Sequence, residues 1–323
     1  MDLIRRRLAI LQSVGNNRAQ CALPLDQLRE IDQALANNWN IDFHDRQTLE
    51  DLLPRTAGVG PVTSYWRAHD LVAEALRRGA LRAADEVNEA LYDALADPYV
   101  FGPVTSSRRA FILDATALTI GLYEKLQLEG PVLDVGCHSG FTTQILASNL
   151  RKPIVGLDPS TQAIGRGRER ILKDPYARLV VGRMPWDTEE RFDLILAIDS
   201  MPDKSTEIGQ FLRGIGNVLN PAGIAIVVSM HWIGADVERT RVHLKLAQLG
   251  FAYADVVGGY QGLPPSFDAE CGVVFIKGAA GELPRKLREM SEIDWPRFRD
   301  YANSPSTPLR EKTQAFERAA RLQ

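Results

Sequence analysis

The segment that decides the fold prediction is Val132-Leu133-Asp134-Val135-Gly136-Cys137-His138-Ser139-Gly140-Phe141-Thr142-Thr143. It begins as a short apolar run, passes through two glycines and continues into the helical pattern FTTQILASNL. Glycines at such a junction let a ligand approach the backbone, and a helix N-terminus offers N–H groups that have no partner within the helix. The segment therefore predicts a strand, a binding loop and a helix, with a small polar ligand on the loop.

The spacing of the polar groups narrows the choice of ligand. Gly136 and Gly140 do not form the G-x-G-x-x-G loop on which the pyrophosphate of a dinucleotide rests. Asp134 stands two residues before the first glycine, where an anionic side chain suits an ammonium group better than two phosphates. Asp158 ends the next apolar run, where a carboxylate can accept hydrogen bonds from ribose hydroxyls. These positions predict a nucleoside with an amino-acid-like tail.

The pattern on either side of this segment predicts an α/β fold. Seven short apolar runs indicate strands: PVLDV, PIVGLD, ARLVVG, FDLILAID, GIAIVVS, FAYADVV and GVVFIKG. Segments with helical periodicity separate most of them, which favours a seven-stranded, mostly parallel, doubly wound sheet. No convincing helix separates the last two runs, so we expect the final strand to be antiparallel.

The sequence predicts three regions. Apolar residues at helical spacing, such as Leu25, Leu28, Ile31 and Leu35, indicate an all-α N-terminal region over 1–127 that serves as a lid, a dimerisation surface or a substrate-binding element. The ligand-binding sheet domain follows over 128–278, and a helical C-terminal extension over 279–323. A chain of 323 residues is long enough for one domain with such appendages.

Composition and charge exclude several classes of protein. With 45% hydrophobic and 24% charged residues, the chain has the composition of an ordinary globular protein. Its net charge of −3 provides no positive field for a polyanion, so no nucleic-acid partner is favoured. The three cysteines form no C-x-x-C pair, which fits a reducing cytoplasm. No apolar run approaches the roughly 20 residues that span a bilayer, so we expect a cytoplasmic protein without a membrane partner.

Two motifs resemble those of class I S-adenosylmethionine-dependent methyltransferases. LDVGCHSG resembles the family's first motif, LDxGxGxG, and VGLDPS resembles its second. The resemblance covers roughly 122–277 and implies a Rossmann-like domain with S-adenosylmethionine as cofactor. It implies that the first motif lines the methionine half of the cofactor and that Asp158 binds the ribose. The residues assigned to the cofactor are Asp134, Gly136, Cys137, His138, Gly140, Asp158, Pro159, Arg183, Met184 and Asp199.

This chain departs from the family pattern at two places. His138 replaces the commonest central glycine of the first motif and puts an imidazole close to the cofactor pocket. Gly182-Arg183-Met184 stands where relatives often have Gly-Asp-Ala, whose acid accepts the adenine amino group. We therefore expect adenine to be held by backbone groups and by apolar packing of Met184 and Pro159. Cys137 has the character of a small buried hydrophobe.

Candidate catalytic residues follow the later strands, because active sites of doubly wound sheets lie beyond the carboxyl ends of the strands. They are Asp199 and Ser200 after the fourth strand, His231 and Trp232 after the fifth, and Tyr260 after the sixth. We assign catalysis to Asp199 and His231. An imidazole titrates near neutral pH and can act as a base, although a purely structural role for His231 stays open. No further carboxylates stand out to join Asp199 around a magnesium ion, so we predict no metal.

The function predicted from these features is methyl transfer to an oxygen or nitrogen atom of a small-molecule acceptor. Aromatic residues of the N-terminal region would suit an acceptor pocket or an ordinary core: Tyr65, Trp66, Tyr99 and Phe101. Two alternatives stay open, namely a methyltransferase acting on protein or RNA, and an inactive cofactor-binding scaffold with the same fold. A homodimer through the N-terminal region also stays open.

Overall fold

The computed structural model describes residues 2–16, 18–38, 77–78, 93, 109–202, 205–229, 242, 245–246, 248–256 and 272–278. The helices are α1 (Asp2–Asn16), α2 (Leu25–Asn38), α3 (Arg109–Lys125), α4 (Phe141–Leu150), α5 (Thr161–Ile171) and α6 (Ser205–Val218). The strands are β1 (Val132–Val135), β2 (Ile154–Asp158), β3 (Ala177–Val181), β4 (Phe192–Ile198), β5 (Leu219–Val228), β6 (Ala252–Val256) and β7 (Gly272–Ile276). None of the described helices combines the length and the apolar character that crossing a membrane requires.

The described residues divide into two compact units. The first unit takes those within 21–186 and 194–198 and therefore holds α2 to α5, β1 to β3 and most of β4. Its strands follow the order β3-β2-β1-β4, and each neighbouring pair is parallel. Because parallel strands end at the same edge, the loops after β1 and β2 lie side by side.

Burial explains why β1 shows no alternation of polar and apolar residues. All four of its residues are buried, Asp134 included, and the strand pairs with β2 along one edge and with β4 along the other. A strand buried on both faces has no solvent-facing side, so its sequence does not alternate. α3 is also buried on nearly every side, and its Thr116 and Thr119 hydroxyls donate to the carbonyls of Ile112 and Ala115. These bonds satisfy polar groups that would otherwise be unpaired in the core.

The second unit takes the described residues within 1–20, 187–193 and 199–323. Its strands follow the order β5-β7-β6, and β7 is antiparallel to both neighbours. α1 packs against this sheet, and Arg7 Nη1 donates to the carbonyl of Ala222 at 2.7 Å. The rings of Phe251 and Phe275 lie 5.2 Å apart and join the segment before β6 to β7.

The predicted fold class is confirmed in its main features: a mixed α/β arrangement, mostly parallel, with an antiparallel last strand. One local prediction is wrong, because β5 begins at Leu219, directly after α6, instead of at Gly223, where the predicted run GIAIVVS begins. The chain bends within the strand at Ala222, whose φ is 61°. Hydrogen bonds from Ala222 N to Lys277 O and from Lys277 N to Gly223 O keep the bend paired with the end of β7. Leu25 is also exposed, unlike the other three residues of its predicted apolar stripe.

Several predictions about the organisation of the chain stay predictions. They are the single seven-stranded sheet, the three regions with boundaries at 127 and 278, and the homodimer. The aromatic residues near 65 and 99–101 and the extension over 279–323 lie outside the described residues.

Two glycines of α5 give a direct test of the packing between this helix and the β1–α4 loop. A Cβ at Gly167 would lie 2.6 Å from the carbonyl oxygen of Ser139, whereas a Cβ at Gly165 would meet nothing within 4 Å. We expect Gly165→Ala to stabilise the protein by up to about 1 kcal/mol through helix propensity. We expect Gly167→Ala to destabilise it by about 1–3 kcal/mol relative to Gly165→Ala, because of overpacking. Urea unfolding measures both, and equal stability of the two variants would contradict this packing.

Candidate functional site

The loop between β1 and α4 has a conformation that ordinary side chains resist. Gly136, His138 and Gly140 have φ values of 74°, 50° and 76°, all in the left-handed region. The loop is tied to the end of β2, because the N–H groups of Gly136 and Cys137 both donate to the carbonyl of Leu157. Gly140 N donates to Cys137 O at 2.8 Å and closes the turn before α4. The first motif therefore has a fixed, sharply turned backbone, and its partly accessible residues are Gly136 and His138.

A single carboxylate joins this loop to the next one. Asp158 ends β2, and its Oδ2 accepts a hydrogen bond from the backbone N–H of His138 at 2.8 Å. Its Oδ1 accepts from the backbone N–H of Ser160 at 2.9 Å. We call this arrangement the Asp158 clamp. Each oxygen retains lone-pair capacity, so the carboxylate can also accept hydrogen bonds from a ligand.

Burial makes both acids of the site less acidic than usual. Burial raises the pKa of Asp158 to about 6, although the N–H groups of Ser160 and His138 oppose the shift. Burial raises the pKa of Asp134 to about 7, and the hydrogen bond from Thr143 opposes this shift. Asp134 is 2% exposed, and its Oδ2 accepts from Thr143 Oγ1 at 2.7 Å. Two carboxyl groups thus lie under the loop in a medium that favours a cationic neighbour.

Gly156 in β2 makes room for this arrangement. A Cβ at Gly156 would lie 2.6 Å from Thr143 Oγ1 and 2.7 Å from Cys137 Sγ. Asp134 pairs with Gly156 in the register of β1 and β2, so the missing side chain lies beside the acid. The absence of a side chain at position 156 therefore lets Thr143 reach Asp134.

Cys137 has its side chain in the core. It is 7% exposed and packs with Ile164, Ile171 and Leu179. Burial raises the pKa of its thiol well above the usual value, so the side chain is neutral. The description of Cys137 as a small buried hydrophobe agrees with this packing, and a contact with a ligand would fall to its backbone.

The segment after β3 begins next to the Asp158 clamp. Gly182 N donates to the backbone carbonyl of Asp158 at 2.9 Å. Pro159 and Met184 are half-buried, whereas Arg183 is exposed. Pro159, Arg183 and Met184, which we assign to the cofactor, thus belong to the segments that follow β2 and β3.

The segment after β4 contains a strained residue. Asp199 has a φ of 48°, which is uncommon for a residue with a side chain, and its N–H donates to the carbonyl of Val228 at 2.9 Å. Within the described part of the chain, the buried Ser200 Oγ has no hydrogen-bond partner. His231, Trp232 and Tyr260 lie outside the described residues. Backbone strain like that at Asp199 is concentrated at functional sites.

The structure adds three polar residues that sequence reasoning missed. Thr143 binds Asp134, Ser160 binds Asp158, and Asp93 binds Ser160. Ser160 had a local signal, since serine before a helical segment is a common N-cap. Asp93 had none, because 67 residues separate it from Ser160.

Within the described ranges, no group of three or more His, Cys, Asp or Glu side chains is placed to hold a metal ion.

Comparison with known proteins finds similarity to methyltransferases in this part of the chain. The family model for a methyltransferase domain matches residues 132–223. A ubiquinone biosynthesis O-methyltransferase of Azorhizobium caulinodans is 30% identical over 126 residues, which are 38% of this chain and 46% of the relative. An uncharacterized methyltransferase of Synechocystis is 30% identical over 101 residues, or 31% of this chain and 47% of the relative. The chain thus spans about half the length of the two relatives.

Among solved structures, the chain is similar to an S-adenosylmethionine-dependent methyltransferase from Clostridium acetobutylicum. The sequence identity is 13% and the TM-score is 0.42, and the match covers 50% of this chain and 89% of that protein.

Replacement of Asp134 by asparagine tests the buried acid. Folding raises the pKa of Asp134 from 3.8 to about 7. Between these two pH values, the folded carboxyl therefore keeps a proton that the unfolded carboxyl has lost. The free energy of unfolding that it contributes is present at pH 4 and is lost as the pH rises through 7, by on the order of 3–4 kcal/mol. We expect Asp134→Asn to remove this dependence, with the exposed Asp187→Asn as control. Urea unfolding from pH 4 to 8 measures it, and parallel curves for wild type and Asp134→Asn would contradict the assignment.

Proposed function

We propose that this protein is an S-adenosylmethionine-dependent methyltransferase that acts on an oxygen or nitrogen nucleophile of a small molecule. The observation that carries the proposal is the Asp158 clamp at the base of the turned β1–α4 loop. It combines a carboxylate suited to ribose with a glycine loop that lacks the G-x-G-x-x-G spacing on which a pyrophosphate rests. The match of residues 132–223 to a methyltransferase domain supports the same conclusion.

The charges of the residues present suit this cofactor. S-adenosylmethionine supplies an electrophilic methyl group on a positively charged sulfur and also carries an ammonium group. Asp134 and Asp158 are buried acids, and a neighbouring cation would lower the pKa of each of them. The left-handed backbone at Gly136, His138 and Gly140 gives the loop its sharp turn above these acids.

We assign separate roles to the residues of the site. Asp158 would accept hydrogen bonds from the ribose hydroxyls, and the first-motif residues Asp134, Gly136, Cys137, His138 and Gly140 would bind the methionine half. Asp134 would act through the negative charge that its buried carboxyl gains when a nearby cation lowers its pKa. Pro159, Arg183 and Met184 would border the adenine, with the half-buried Pro159 and Met184 providing its apolar contacts.

The acceptor side of the reaction falls to residues after β4 and β5. In-line displacement requires the nucleophile to lie about 3–3.5 Å from the methyl carbon, and alignment alone can provide roughly 7–11 kcal/mol. The strained backbone at Asp199 supports a positioning role for this segment. His231 follows β5 in the sequence and would accept the proton of a hydroxyl or ammonium acceptor.

Two observations support a small molecule as the acceptor. One relative carries the name of an O-methyltransferase of ubiquinone biosynthesis, which places that protein in small-molecule metabolism. The net charge of −3 provides no general attraction for RNA.

Cofactor binding is the first test of the proposal. We expect Asp158→Ala to weaken the binding of S-adenosylmethionine and S-adenosylhomocysteine by about 10- to 100-fold, because it removes charged hydrogen bonds to the ribose and releases two loop N–H groups. Isothermal titration calorimetry measures the affinity, and Asp187→Ala is the control at an exposed acid. Absence of binding by the wild type at millimolar ligand would exclude the proposed activity.

Turnover is the second test. We expect the wild type to form S-adenosylhomocysteine with acceptors from a panel of phenols, carboxylic acids and amines, and His231→Gln to lower kcat by about 10²- to 10⁴-fold at a nearly unchanged KM for the cofactor. Activity only with protein or RNA fractions would favour a macromolecular acceptor. Cofactor binding without turnover on any of these would favour a scaffold.

A further inference from the structure

Asp93 places a carboxylate at the N-terminus of α5, beside the Asp158 clamp. Its Oδ1 accepts a hydrogen bond from Ser160 Oγ at 2.5 Å and a longer one from Gln162 N at 3.3 Å. The first distance is typical of a hydroxyl bound to an ionised carboxylate. A negative charge at this end of a helix is also favourable, because the unpaired N–H groups there carry partial positive charge.

Ser160 connects Asp93 to Asp158 through one residue. Its backbone N–H donates to Asp158 Oδ1, and its Oγ accepts from Ala163 N at 3.0 Å as the N-cap of α5. A serine hydroxyl has one proton, and here that proton points to Asp93. Ser160 itself is fully buried, whereas Asp93 is half-buried. The direction of the Ser160 hydroxyl, and with it the start of α5, therefore depends on Asp93.

Charge gives a second link between the two acids. The carboxylate of Asp93 helps to raise the pKa of Asp158, although burial is the larger cause. The other ionisable groups around Asp158 are Asp134 on β1, and Cys137 and His138 on the β1–α4 loop. Of all these neighbours, Asp93 is the one supplied by the region predicted to be helical and N-terminal.

We propose that Asp93 is a positioning residue of the cofactor site, which holds Ser160 and thereby the Asp158 clamp in the form that binds ribose. This inference rests on the proposed function, because it assigns the ribose to Asp158. It gives the N-terminal region a role in cofactor binding in addition to any role in acceptor binding. The region would fix the cofactor site through the carboxylate of Asp93, which binds Ser160 at the start of α5.

A double-mutant cycle on the full-length protein tests the link. We expect Asp93→Ala and Ser160→Ala each to weaken S-adenosylhomocysteine binding by about 3- to 10-fold, because each removes the same charged hydrogen bond. The double variant should be no weaker than the weaker single variant, since the two residues act in series. Glu169→Gln, which removes an exposed charge from the same helix, is the control and should bind like the wild type. Thermal unfolding shows that each variant is folded.

The pH dependence of binding separates positioning from simple structural support. Asp93→Asn keeps an oxygen acceptor for Ser160 but removes the charge, so the pKa of Asp158 should fall. Binding that requires ionised Asp158 should then persist to lower pH, and the acidic limb of the affinity profile should move down by a few tenths of a pH unit. Asp134, with a pKa of about 7, also titrates in this range, but it is the same in all variants, so the comparison between variants isolates Asp93.

The outcomes distinguish the inference from the proposed function. Wild-type affinity in Asp93→Ala, additive losses in the double variant, or an unmoved acidic limb in Asp93→Asn would each overturn the inference alone, provided that Asp158→Ala weakens binding. If the wild type does not bind the cofactor, both the proposed function and the inference fail.

Discussion

The hydrogen bonds from two backbone N–H groups to Asp158 are the interaction on which the rest of the site depends. One N–H comes from the loop after β1 and the other from the turn before α5, so a single side chain sets the separation of two helix N-termini. Both loops follow parallel neighbouring strands, and this is why one carboxylate at the end of β2 can reach them. The backbone of Asp158 extends the connection to a third strand, because its carbonyl accepts from Gly182 after β3.

The burial that holds the two acids of the site in place also makes their charged forms unfavourable when no cation lies beside them. Asp134 and Asp158 are nearly inaccessible, and burial raises the pKa of both. Their hydrogen bonds from Thr143, His138 and Ser160 compensate only in part. A ligand with a sulfonium and an ammonium group would supply the missing positive charge, and binding and ionisation would then favour each other. Ionisation of these acids costs stability, and under the proposed function the same ionisation would increase the affinity for the cofactor.

The sequence predicted the parts of this structure that depend on local pattern. The first motif, the acid at the end of β2 and the alternation of strands and helices are all visible in short segments around Asp134 and Asp158. The bend at Ala222 was missed, because it depends on pairing with Lys277, 55 positions further along the chain. Asp93 was missed for the same reason, since the contact joins regions 67 residues apart. Thr143 could be expected only once Gly156 was known to lie beside Asp134.

A crystal structure of the protein with S-adenosylhomocysteine would test the central claim most directly. We expect both ribose hydroxyl oxygens within about 2.6–3.0 Å of the Asp158 carboxylate, with the N–H bonds from His138 and Ser160 intact. We also expect the amino-acid part of the ligand over the loop from Gly136 to Gly140. A ligand bound elsewhere, or an Asp158 carboxylate that contacts only the two N–H groups while the ribose lies apart from it, would contradict the assignment of this site.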